Sequence, residues 1–206
     1  MTLALALLAA LGYLPLAPRP PSLVRSAIKT VAVALLAVGA LGTPSLAVAL
    51  AFCALGDWLL SRPGERAFMA GVGAFAAGHL AYVALFMADA GFRFDRLVAA
   101  PTVYVAVPLV AAGLGAAFLI WPRAGALRGP VMVYVPIILS MGLAALALSG
   151  DRWTVALAAL AFIASDLILA AEKFLLPPGH AFLSVAPFAI WILYWTAQAG
   201  FFAAFA

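Results

Sequence analysis

Seven of the 206 residues are acidic, and two of them stand where an apolar environment should exclude them. Glu65, Asp89, Asp95, Asp151 and Glu172 fall between apolar runs or at their ends, whereas Asp57 and Asp166 lie inside such runs. A charge at the centre of a membrane helix costs ~2.5–3.5 kcal/mol on insertion scales, so carboxyls retained there face a bundle interior and are functional by default. Asp57 precedes Arg62 by five positions and Asp166 precedes Lys173 by seven. At ~1.5 Å of rise per residue, the two carboxyls stand ~7.5 and ~10 Å inside one boundary. Their settings are alike: Leu55-Gly56-Asp57-Trp58-Leu59-Leu60 and Ala164-Ser165-Asp166-Leu167-Ile168-Leu169. A small residue directly before each Asp lets a neighbouring helix approach. Two carboxyls in one poorly solvated pocket do not both ionise readily, so one keeps its proton while the other is a carboxylate. Such a pair is the equipment of general acid–base catalysis.

Other polar residues extend this constellation. Gly71, Phe75, Gly78 and Tyr82 recur at helical spacing with His79 beside them, marking a packed face from which His79 points inward. His79 is thirteen residues past Arg66, or ~20 Å along a helix, deeper than either Asp. It is therefore expected to line a channel or hold a water rather than to touch both carboxyls. Tyr194 and Gln198 form an i, i+4 pair, and Tyr134 lies a short way into its own run. Each either bonds across helices, as polar residues in bundles commonly do, or faces a ligand. Lys29 is either a snorkelling anchor or a partner for a phosphate or for Asp57. One Cys and two His make a dedicated zinc site an unsuitable reading, and Cys53 alone excludes an intrachain disulfide. No Gly-x-Ser-x-Gly elbow, Walker loop or His-Glu-x-x-His occurs.

The elements that must position these groups follow from composition. Apolar and aromatic residues make up 68% of the chain and charged residues 9%. A soluble domain averages ~25% charged residues, so this chain lacks the means to cover a water-facing surface. The eleven Lys and Arg residues are spread thinly between apolar runs, which is the membrane-protein pattern and argues against a nucleic-acid partner. With ~20 apolar residues needed per crossing, charged and Pro/Gly clusters divide the chain into eight runs. These are 2–18, 27–42, 44–61, 67–88, 97–120, 129–149, 153–172 and 181–204. Continuous rather than alternating apolarity excludes a β-barrel. The expected fold is an all-α, polytopic transmembrane bundle of eight helices in a single domain, 1–206. Its second and third helices form a hairpin through Gly42-Thr43-Pro44. The N-terminal run has no Lys or Arg ahead of it and is read as the first span rather than a signal peptide.

Lys and Arg also set an orientation. The loops after the first, third, fifth and seventh runs hold Arg19, Arg25, Lys29, Arg62, Arg66, Arg123, Arg128 and Lys173, eight in all. The opposite side has three, Arg93, Arg96 and Arg152. The richer side is expected in the cytoplasm and both termini on the non-cytoplasmic side. Trp58, Trp121 and Trp153 fall near span ends, while Trp191 and Trp195 are expected inside the bundle. The Ala-rich composition suits a GC-rich bacterium, and the expected location is its plasma (inner) membrane.

Four pieces in order carry a family resemblance. They are Gly56-Asp57 with Leu59-Leu60; Gly71-x-x-x-Phe75-x-x-x-His79-x-x-Tyr82; Phe162-x-x-Ser165-Asp166-x-x-Leu169-Ala170; and Tyr194-x-x-x-Gln198. From about Lys29 to Gln198 the chain resembles the YhhN family, eight-span membrane proteins that include the lysoplasmalogenases. Many members have Lys-Pro where this chain has Lys29-Thr30. The resemblance implies hydrolysis of the vinyl ether of a lysophospholipid substrate, releasing a fatty aldehyde and a glycerophospho-head group. By it, Asp57 and Asp166 match the two family aspartates expected at the reaction centre. His79, Tyr82, Tyr194 and Gln198 match family positions to which the resemblance gives no individual role; with Lys29 and Tyr134 they are the candidate substrate-binding residues. That chemistry requires no metal and no organic cofactor. Lys29, Arg25, Arg62 and Arg66 are expected to hold the phosphate. The competing reading is a small proton-coupled transporter, since paired intramembrane acids also mark proton relays. Against it, no helix shows a paired midplane interruption, and both acids lie toward one face.

Overall fold

The computed structural model describes all 206 residues and contains eight α-helices and no strand. They are α1 (Thr2–Tyr13), α2 (Leu23–Gly39), α3 (Pro44–Leu60), α4 (Glu65–Met87), α5 (Val103–Ile120), α6 (Arg128–Leu146), α7 (Trp153–Phe174) and α8 (Ala186–Phe205). Five, α4 to α8, are long and apolar enough to cross a membrane. α1 and α3 are apolar but shorter, and α2 has 17 residues with Arg25 and Lys29 in its first turns. Large apolar side chains such as Leu8, Tyr104 and Phe118 are exposed on the outside of the bundle. Such a surface suits hydrocarbon, and the protein is an integral membrane protein.

Prolines explain where the helices depart from the runs read in the sequence. The fifth and eighth helices begin at Val103 and Ala186, not at 97 and 181. Pro101 precedes α5 and Pro187 occupies the first turn of α8, where the missing N–H costs nothing. The residues ahead of them, Phe94–Val98 and Ala181–Ser184, form 3-10 turns instead. Pro108 and Pro136 do lie inside helices. α1 stops at Tyr13 and passes into a 3-10 turn containing Pro15. α2 starts four residues before the expected position, because Ser22 caps it by accepting the Arg25 N–H.

Small residues draw α3 and α4 together. A Cβ on Gly56 would stand 2.6 Å from the Phe75 ring, and one on Gly71 would stand 2.7 Å from the Leu60 side chain. One on Gly78 would stand 2.9 Å from Cys53 Sγ and 3.1 Å from the Ala49 carbonyl. The backbones therefore approach more closely than any side chain would allow. A single buried cluster of 36 apolar residues takes members from all eight helices, so one core holds both Asp-bearing helices in place.

The loops sort to two ends, as the alternation of runs requires. At one end Arg25 donates to the carbonyls of Leu16 and Ala17 at 3.0 Å, and Arg62 donates to Ser26. At the other, Thr43 and Arg152 donate to the carbonyls of Phe205 and Ala204, both at 2.8 Å. Arg152 also meets Asp89 at 3.1 Å. The bonds from Arg25 and Thr43, and that from Arg152 to Ala204, satisfy carbonyls that helix ends leave without intrahelical donors. Asp95 is exposed at this end, and its hydrogen bonds from Arg93 hold the carboxyl below its ordinary pKa. Trp58, Trp121 and Trp153 are exposed and Trp191 and Trp195 buried, matching the sequence reading.

Candidate active site

Asp57 is fully buried on the last turns of α3. Lys29, reaching across from α2, places its ammonium 2.8 Å from Oδ1, and no other polar group attends that oxygen. Tyr194 on α8 donates its hydroxyl to Oδ2 at 2.7 Å. Lys29 is also held over the rings of Trp191 and Tyr194, 5.9 and 5.7 Å from their centroids. Of the two sequence readings for Lys29, the ion pair with Asp57 is the one present. Gly56 allows this geometry, because its missing side chain makes room for Phe75, whose ring packs edge-on against Tyr194 at 5.7 Å.

Asp166 on α7 has a different set of partners. Tyr134 of α6 donates its hydroxyl to Oδ2. Ser165 gives its one proton to the Phe162 carbonyl at 2.8 Å, so its 3.4 Å approach to Oδ1 is marginal. No cation pairs with Asp166. Thus one carboxyl has an ammonium beside it and the other has only a phenol.

His79 stands behind Tyr134. Its Nε2 is 3.2 Å from the Tyr134 hydroxyl, while its buried Nδ1 has no partner. With Tyr134 donating to Asp166, the hydroxyl oxygen is free to accept, which fits an Nε2–H tautomer and leaves a bare lone pair rather than an orphaned N–H. The result is a chain from His79 through Tyr134 to Asp166. His79 touches neither carboxyl directly, and it bonds to Tyr134 rather than lining the channel expected of it.

Both aspartates line one cavity together with Lys29, Tyr134 and Tyr194. Its wall is made by 24 residues, 18 of them hydrophobic, which suits a hydrocarbon chain more than a polar metabolite. Small residues on α5, Gly113 and Ala116, help to keep it open. His79, Tyr82 and Gln198 are not in the wall; Tyr82 donates instead to Gln198 Oε1 in a separate buried pair. The i, i+4 residues Tyr194 and Gln198 therefore serve different partners. Of the cations expected around a phosphate, Lys29 lines the cavity, while Arg25, Arg62 and Arg66 do not. The sequence reading passed over Lys173, which does line it. Its position seven residues after Asp166, two turns on and on the same face, is the signal that carries it.

Residues 24–205 match the YhhN family, nearly the whole chain. The protein belongs to that family. Within 198 residues it is 33% identical to proteins named lysoplasmalogenase from Mycobacterium bovis and Mycobacterium tuberculosis, a match covering 88% of this chain and 71% of each relative. It is also 36% identical over 143 residues to the lysoplasmalogenase TMEM86A of Bos taurus, covering 65% of this chain and 55% of that protein. The match thus spans little more than half the length of the cattle relative. No solved structure matches this YhhN chain.

Proposed function

We propose that this YhhN protein hydrolyses the vinyl ether of a lysoplasmalogen within the membrane, with Asp166 as general acid and Asp57 as general base. The observation that carries this reading is the pair of carboxyls in one apolar cavity with unequal partners. Lys29 beside Asp57 favours the carboxylate there, and Asp166, with no counter-ion, is the group suited to carry the exchangeable proton.

The steps balance without any group beyond these residues and water. Asp166 protonates the outer alkene carbon, and the double bond shifts toward the ether oxygen as an oxocarbenium ion. Water attacks the cationic carbon while Asp57 takes its proton, giving a hemiacetal. Collapse of the hemiacetal returns its hydroxyl proton to Asp166 and moves the Asp57 proton to the departing glycerol oxygen. A fatty aldehyde and a glycerophospho-head group leave, and both aspartates regain their starting states. His79 and Tyr134 hold Asp166 in place from behind, and Tyr194 does the same for Asp57. The names of the relatives support the substrate class. The Ala-rich composition suits a bacterial inner membrane, and the charge distribution supports an orientation with the cation-rich end in the cytoplasm.

The test is aldehyde release from a lysoplasmalogen by purified protein in detergent. Asp57→Asn and Asp166→Asn are each expected to lower kcat by at least 100-fold in the fraction that stays folded, within the range of lost general acid–base catalysis. Asp57→Asn should do so at a lowered melting temperature, because it leaves Lys29 without its partner. Activity retained in both variants would sink the two-carboxylate mechanism. If the natural chain releases no aldehyde, the hydrolase reading fails, and proton-coupled flux in proteoliposomes becomes the measurement to make.

A further inference from the structure

Two cations stand in the cavity wall, Lys29 and Lys173, and they are not equivalent. Lys29 is neutralised by Asp57 at 2.8 Å. Lys173, on the last turn of α7, takes part in none of the molecule's three ion pairs. Its ammonium lies 5.1 Å from the centre of the Phe68 ring, a cation–π contact from α4 that keeps the charge at the cavity rather than swung away along the surface. The arginines nearest this end are otherwise engaged or lie apart: Arg25 donates to the carbonyls at the end of the 3-10 turn after α1, Arg62 donates to Ser26, and Arg66 is exposed outside the wall.

Asp166, Ala170 and Lys173 sit at i, i+4 and i+7 on α7 and all face the cavity. Two helical turns separate the carboxyl-bearing residue from the lysine by ~10 Å. In a lysoplasmalogen, seven bonds separate the alkene carbon to be protonated from the phosphorus atom, about 8 Å at the ~1.2 Å per bond of an extended chain. A phosphate oxygen within hydrogen-bond reach of the ammonium adds the remainder.

We infer that Lys173 is the phosphate anchor of the cavity, selecting phosphate-bearing ether lysolipids over neutral glyceryl ethers of the same tail. The inference rests on the hydrolase reading for which bond must lie beside Asp166, but the anchor is a binding device and is testable without turnover. Lys173 holds the anion at the mouth, Phe68 and Phe174 flank it, and the alkenyl tail runs inward along the apolar wall. A headgroup held this way fixes how far the glycerol enters and so sets the reacting carbon against Asp166.

Binding of two saturated, uncleavable ethers decides the matter: 1-alkyl-glycerophosphoethanolamine and the 1-alkylglycerol with the same chain. The natural protein is expected to bind the phosphate-bearing ether about tenfold more tightly, and raised salt should erode that preference. Lys173→Met keeps the stem against Phe68 and removes the charge; it should abolish the preference while leaving the alkylglycerol affinity within twofold. Lys173→Arg should restore most of it. Glycerol 3-phosphate, which has the anion without the tail, should compete only weakly; binding as tight as the lysolipid's would mean a soluble phosphate ester is the ligand and would overturn the lipid anchor. An equal loss for both ethers in Lys173→Met, or no change for either, would overturn the assignment of the phosphate to Lys173. Because neither ether is cleaved, these outcomes stand whether or not the natural chain releases aldehyde from a lysoplasmalogen, and the hydrolase reading fails or holds on that separate measurement.

Discussion

At the scale of single residues, the two aspartates differ in what holds them, and the difference has consequences that can be measured. Lys29 and Asp57 form a pair in which the carboxyl has no access to solvent and the lysine very little. Removing one partner of such a pair strands the other, at a cost of about 3–5 kcal/mol. Lys29→Met is therefore expected to lower the melting temperature sharply, and Lys29→Met combined with Asp57→Asn to recover most of it, measured by thermal denaturation in detergent. A double variant no more stable than Lys29→Met alone would mean the ion pair is not what the lysine supplies. For Asp166 the critical partner is Tyr134, since no cation substitutes for it. Tyr134→Phe is expected to lower kcat by about 10–100-fold, the worth of one hydrogen bond to the carboxylate that forms as Asp166 gives up its proton. Tyr194→Phe should cost less, because Lys29 still holds Asp57. Equal losses in kcat would remove the distinction between the two sites. The aspartates were legible in the sequence because a charge in an apolar run is costly and has no bland surface role. Tyr134 was legible only as a polar residue: its bond to Asp166 joins α6 to α7, and no spacing within one helix encodes a contact between two.

The helices show which sequence signals translate directly into packing. Gly71 and Gly78 were read as a packed face from their spacing, and each does bring α4 against α3. Gly73 lies between them in sequence but on the exposed side, with open space where a Cβ would go. Gly78→Ala would press a methyl against the Ala49 carbonyl, a backbone atom that moves only if the helices separate. Overpacking of this kind costs about 1–3 kcal/mol. Gly73→Ala should be neutral or stabilising by up to ~1 kcal/mol through helix propensity. Comparing the two variants by thermal denaturation checks this, and equal destabilisation would mean that α3 and α4 are not in close contact. Helix starts were harder to read. Apolarity runs on through Leu97–Ala100 and Ala181–Ser184, and hydropathy does not distinguish a helix from the 3-10 turn that a following proline imposes. The site escaped that error because Tyr134, Asp166 and Tyr194 lie well inside their helices, and Asp57, on the last turn of α3, is far from any misplaced helix start.

For the whole molecule, the question is which end faces the cytoplasm, since on the proposed reading that decides the leaflet from which a lysolipid headgroup would reach Lys173. Arg25, Arg62 and their partners gather at one end, and Arg152, Asp89 and the C-terminal carbonyls at the other. The cations divide eight to three between these ends. From that division the positive-inside rule predicts that Lys173 and the cavity mouth face the cytoplasm. The chain's only cysteine, Cys53, is fully buried, so the natural protein should be silent to a membrane-impermeant thiol reagent. Ala99 and Ala126 are exposed at opposite ends, in the segments before α5 and before α6. In intact cells Ala99→Cys should be labelled at once, and Ala126→Cys only after the membrane is permeabilised. The reverse pattern would turn the molecule over, placing the Lys173 end and any phosphate it holds on the outer face. Equal labelling of both before permeabilisation would be incompatible with one fixed orientation, and with it the argument that a single leaflet supplies the substrate would fall.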